Sequence, residues 1–188
     1  MKSMLLFFLT FLLSSSVHAG TLKGRVKERA DGIVVAVKKI KCDVQPPKGH
    51  AIISQKNMEF IPNVLPVLVG TTVDFPNDEV VIYHNVFSVS EGNRFDLGTY
   101  RVGEIKSVTF KKTGIVEVLC NIHVRMYAAI IVLDNPYFTR VEAGGSYSIK
   151  DIPKGAYTVE IYFVKNHTVV KKQSRVVIPD QGVVELNL

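Results

Sequence analysis

The chain has no tryptophan, only two cysteines and five histidines, and no apolar run beyond residue 13 that reaches about 18 residues. Crossing a hydrocarbon layer of roughly 30 Å takes about 20 apolar residues in a helix, so the body of the chain is not expected to span a membrane. No window of about 12 residues shows a 3.6-residue apolar period, which excludes a helical bundle. No phosphate-cradling glycine loop, nucleophile motif or paired carboxylates rise above background, and no base-stacking motif is present. Disorder is excluded as well, since 47% of residues are hydrophobic and 21% are charged.

What is present begins with a leader. Lys2 supplies a positive start, and residues 4–13 form an apolar stretch too short to span a bilayer. Three serines follow, and then Val17-His18-Ala19, a small-x-small cleavage signature. The expectation is a signal peptide over residues 1–19 and an exported mature chain, periplasmic in a bacterium. Export makes the cysteines informative, because two thiols in an oxidising compartment pair by default. Cys42 and Cys120 must be weighed as a disulfide against any other use.

After residue 20 apolar and polar residues alternate, as in Leu22-Lys23-Gly24-Arg25-Val26, Ser107-Val108-Thr109-Phe110 and Tyr157-Thr158-Val159-Glu160-Ile161. Gly, Pro, Asn and Asp interrupt the runs every 8–12 residues or so, the signature of an all-β sandwich or barrel. Strands are expected over residues 79–83 and 115–119. Two breaks, at 43–49 and at Asp134-Asn135-Pro136, divide the mature chain into residues 20–45, 46–135 and 136–188. The middle part suffices for a seven- or eight-stranded sandwich, whereas each flank is too short to be comfortable alone.

The chemistry concentrates in Cys120-Asn121-Ile122-His123-Val124-Arg125-Met126, a C-x2-H-x2-M loop, with His84-Asn85 upstream. Thiolate, two imidazoles and a thioether form a soft donor set that suits copper, and two His, one Cys and a weak Met are the blue-copper ligands. Three donors on one loop between two strands and a fourth on a neighbouring strand would let a sandwich hold the geometry rigid. Asn85 is placed to donate a hydrogen bond across the site and pin that loop. Taken singly, a buried Cys, a Met or a strand His is most often core; the four together at this spacing favour a metal site.

Residues 50–133 resemble the cupredoxins. Gly70-Thr71-Thr72-Val73-Asp74-Phe75-Pro76-Asn77, His84-Asn85-Val86-Phe87-Ser88, Phe95-Asp96-Leu97-Gly98 with Tyr100, and Cys120-Asn121-Ile122-His123 with Met126 are similar to plastocyanin- and amicyanin-like proteins of the methylamine-utilisation type. The resemblance implies a Greek-key β-sandwich with one type 1 copper per chain on His84, Cys120, His123 and Met126. It also implies one-electron transfer, with His123 as the electron port and Ile122 and Val124 as an apolar rim. Residues 143–163, with Ile152-Pro153-Lys154-Gly155 and Tyr157, resemble the carboxypeptidase-regulatory-like, transthyretin-type β-sandwich. That family's first strands are missing from 136–188 and are matched by Gly24-Arg25-Val26 and Gly32-Ile33-Val34-Val35-Ala36-Val37. The expectation is a second small β-sandwich made from 20–45 plus 136–188, with the copper domain inserted; the alternative is an N-terminal extension on the copper sandwich.

Three functions stay open at this point: a blue-copper electron carrier for periplasmic redox proteins, a protein that holds and passes on copper, and a metal-free β scaffold with a Cys42–Cys120 disulfide. In the first, Cys42 is a spare thiol, expected to be buried. An enzyme is not expected, because a second copper centre needs further histidines, and His50 and His167 stand apart in sequence. The net charge of +6 sits in the flanks: 20–45 carries seven basic and three acidic residues, 136–188 seven and five, and 46–135 eight and nine. Nucleic acid is not an expected partner of an exported chain. The basic flanks suit an acidic partner.

Overall fold

A computed structural model describes residues 19–188, so all of the expected leader, residues 1–19, except Ala19 lies outside the described residues. The chain is all-β, with no helix among the described residues. The N-terminal flank forms β1 (Ala19–Arg25) and β2 (Gly32–Lys38). The middle part forms β3 (Ala51–Ile52), β4 (Ser54–Lys56), β5 (Glu59–Ile61), β6 (Val64–Leu68), β7 (Thr72–Pro76), β8 (His84–Ser88), β9 (Phe95–Tyr100), β10 (Ile105–Thr109), β11 (Gly114–Leu119) and β12 (Tyr127–Leu133). The C-terminal flank forms β13 (Phe138–Arg140), β14 (Ser146–Pro153), β15 (Gly155–Lys165), β16 (Thr168–Ile178) and β17 (Val183–Glu185).

The middle strands make a five-stranded sheet in the order β6-β12-β11-β8-β9, a three-stranded sheet β10-β7-β3 and the hairpin β4-β5. Sheet order departs from chain order, as Greek-key connections require. The flanks make two further sheets, β14-β1-β17 and β13-β2-β15-β16. β1 therefore pairs with β14 and β17, and β2 with β13 and β15, all from the C-terminal flank.

Three apolar layers separate the four sheets. One, with Val73, Phe75, Val86, Val116, Val118, Ile130 and Val132, fills the middle sandwich. Another, with Leu22, Val35, Val37, Ile149, Ile161 and Phe163, fills the flanking sandwich. The third, with Val34, Ala36, Val64, Ala129, Ile131, Leu133 and Val164, lies between the two sandwiches. Strand geometry explains this, because successive side chains point to opposite faces. In β12, Ala128, Ile130 and Val132 point into the middle sandwich while Tyr127, Ala129, Ile131 and Leu133 point toward the flanks. All seven residues of β12 are consequently buried. β2 is covered the same way, with Val35 and Val37 on one face and Val34 and Ala36 on the other.

The sandwiches approach closely where β2 begins. A Cβ on Gly32 would stand 2.2 Å from Val64 Cγ1, so only glycine permits this contact. Near the other break, Asn135 Nδ2 donates to the Val37 carbonyl at 3.0 Å and Lys38 pairs with Asp134 at 3.1 Å. Residues 39–50 form no strand. No helix among the described residues is long and apolar enough to cross a membrane.

Candidate metal centre

The antiparallel hairpin β11–β12 ends on the pair Leu119 and Tyr127, and residues 120–126 close it as a seven-residue loop. β8 runs antiparallel beside β11, with Phe87 opposite Leu119. The loop therefore leaves the sheet next to the start of β8, where His84 stands. The geometry follows from strand pairing and needs no long-range device beyond it.

His84 is fully buried and Cys120 nearly so, while His123 is partly exposed. Their donor atoms lie within 4.8 Å of one another. The Nδ1 atoms of His84 and His123 face each other at 3.1 Å, with the ring planes at 68°. Two imidazole nitrogens sharing one ion at about 2.0 Å, with an angle of about 100° between them, would stand about 3.1 Å apart. The donor set thus fits a transition-metal ion. Met126 is buried in the same apolar cluster as Cys120, and its N–H donates to the His123 carbonyl at 2.9 Å, a tight turn that folds the loop back.

The far side of His84 is also held. Its Nε2–H donates to Glu79 Oε1 at 3.3 Å, and the same oxygen accepts the Met58 N–H at 2.6 Å. That bond leaves Nδ1 as the free lone pair facing the site, the arrangement by which a carboxylate orients a metal-binding imidazole. Burial pushes the His84 imidazole below its ordinary value; Glu79 opposes this and the neighbouring His123 adds to it. A neutral imidazole is the form that binds metal.

Asn85 bonds to the loop as an acceptor, the reverse of the donor role expected of it. Its Oδ1 accepts the Asn121 N–H at 3.3 Å, and its Nδ2 donates to Asp96 Oδ1 at 2.9 Å. Asp96 also accepts the Gly98 N–H at 2.8 Å, where Gly98 has φ of +65°. Residues 79–83 are not a strand. Asn77 shapes them into a loop, donating from Nδ2 to the Ile82 and Tyr100 carbonyls while its Oδ1 accepts the Glu79 N–H. Val80 and Val81 are 85% and 78% exposed in consequence.

Of the remaining candidates, His50 bonds Asp74 at 2.9 Å and His167 stacks on Tyr127, both outside the cluster. Both cysteines are free. Cys42 is exposed rather than buried, because it lies on the surface connection after β2, with Sγ 3.9 Å from the Ile40 carbonyl. Ile122 and Val124 are 46% and 84% exposed and, with Met58, line a shallow depression beside His123. Sequence reasoning missed Glu79 and Asp96; only the Asp-x-Gly spacing of Asp96 to Gly98 carried a turn signal.

No protein-family model and no curated protein matches the chain. Among solved structures it is similar to a copper-containing nitrite reductase from Thermus scotoductus, at 25% identity and a TM-score of 0.45 over 53% of this chain and 26% of that one. It is similar to a purple cupredoxin from Nitrosopumilus maritimus at 23% identity and a TM-score of 0.40, over 44% of this chain and 99% of that one. An amicyanin variant matches at 24% identity and a TM-score of 0.42, over 46% and 84%. The chain spans about a quarter of the length of the nitrite reductase.

Proposed function

We propose that the chain is an exported cupredoxin with one type 1 copper, carrying single electrons between periplasmic redox proteins. The observation that carries this reading is the facing pair of Nδ1 atoms on His84 and His123, with the Cys120 thiol beside them. Soft sulfur with two imidazoles selects copper among the common metals. His84, Cys120, His123 and Met126 would hold the ion, and bound copper supplies a one-electron couple.

The chain's own residues account for the rest. Glu79 orients His84, and Asn85 fastens the loop through Asn121. Burial of His84, Cys120 and Met126 excludes water from three of the four donors. Partial exposure of His123, ringed by Ile122, Val124 and Met58, offers a short route for an electron at an apolar contact face. Catalysis is not part of this reading.

The flanks, 20–45 plus 136–188, are read as one discontinuous regulatory-like domain, in keeping with β1 and β2 pairing only with strands from the C-terminal flank. Its excess of basic residues suits an acidic partner. A spectroelectrochemical titration of the copper-loaded protein tests the carrier role. A reversible one-electron transition is expected; uptake of Cu(I) that cannot be cycled would instead mark a copper-handling protein.

A further inference from the structure

The turn between β15 and β16, Asn166-His167, reaches from the flanking sandwich to the base of the ligand loop. Asn166 and His167 adopt left-handed backbone angles, φ +49° and +57°, a conformation in which Asn and His are enriched. The turn is tied down from below: the Asn166 N–H donates to Asp31 Oδ2 at 3.1 Å, and the Asp31 N–H donates to the Val164 carbonyl at 2.8 Å. The His167 imidazole lies flat on the Tyr127 ring, with centroids 5.1 Å apart and planes within 11°.

Tyr127 stands at a sensitive place. It follows Met126 directly and pairs with Leu119, which precedes Cys120, so this pair is the rung that closes the ligand loop. Its phenol donates to Glu117 Oε1 at 2.9 Å. The ring is therefore fixed at its tip by the middle sandwich and on its face by the flanking one. Arg125, from the loop itself, lines the same cleft as Tyr127 and His167.

We propose that His167 is a positioning residue for the metal loop: by stacking on Tyr127 it makes the flanking sandwich a brace for the spacing of Cys120 and Met126. The consequence for copper rests on the function proposed above, but the brace itself is a property of the metal-free chain. A stacked aromatic pair corresponds to about a two- to twelve-fold change in a local opening equilibrium.

The test uses the full chain and the variants His167→Ala and His167→Phe, the second restoring a flat ring. Hydrogen exchange of the amides of 121–126 is measured without metal, and the visible and electron paramagnetic resonance spectra are measured with Cu(II). The expected result is an exchange about two- to twelve-fold faster, confined to the loop, in His167→Ala, a changed copper spectrum, and recovery of both in His167→Phe. Unchanged loop exchange in His167→Ala, or an equal acceleration over the whole chain, overturns the proposal, as does failure of Phe to restore it. If wild-type protein with Cu(II) shows no thiolate band, the copper reading fails while the exchange comparison still decides the brace.

Discussion

His84 turns one ring nitrogen, Nδ1, toward His123 Nδ1 at 3.1 Å and the other, Nε2, toward Glu79 at 3.3 Å. A carboxylate behind a metal-binding imidazole fixes both its tautomer and its orientation. Glu79→Leu is expected to weaken metal binding about 10- to 100-fold, the usual effect of losing such a partner. Glu79→Gln, which retains an acceptor, should lose less. Competition titrations against a chelator of known affinity check the order.

The layer between the sandwiches is packed as a core. Ile131 is 1% exposed there, on the opposite face of β12 from Ile130. Ile131→Ala should cost about 2–5 kcal/mol, as in any close-packed interior. Denaturant unfolding measures it. A loss under about 1 kcal/mol would show that the two sandwiches only touch.

Glu160 sits on the inter-sandwich face of β15, buried, and accepts hydrogen bonds from Tyr162 at 2.5 Å, Gln173 at 2.8 Å and Lys171 at 3.2 Å. Burial alone would raise its carboxyl, but the bonds from Tyr162, Gln173 and Lys171 outweigh it and hold the group below its ordinary value. A depressed folded value means that the stabilisation is full above the unfolded carboxyl's pKa of about 4.3 and is lost as pH falls through the lower folded one. Melting temperature should therefore drop in acid below about pH 4.3 more steeply for the wild type than for Glu160→Gln. Parallel curves for the two proteins would contradict this.

The C-x2-H-x2-M loop and its upstream histidine were legible because strand pairing alone brings them together: β8 lies beside β11, and the loop follows β11 directly. Apolar and polar alternation in the sequence marked β1, β10, β11 and β15, since successive side chains of a strand point to opposite faces. Residues 79–83 misled because Val80 and Val81 look like strand residues, while the side-chain bonds of Asn77 bend that backbone into a loop. Glu79 was hidden with them, since nothing in its spacing to His84 distinguishes it from a surface acid. The stacking of the sandwiches had a signal that alternation obscured. Ile33-Val34-Val35-Ala36-Val37 and Tyr127-Ala128-Ala129-Ile130-Ile131-Val132-Leu133 are unbroken apolar runs, and such runs belong to strands covered on both faces.

The most direct test of the account is the visible absorption spectrum of the full chain after addition of Cu(II), beside that of Cys120→Ser. The account predicts an intense thiolate-to-copper band in the wild type, bleached by a reductant and restored by an oxidant, and no such band in Cys120→Ser. A colourless wild type, or a band that survives in Cys120→Ser, would contradict it.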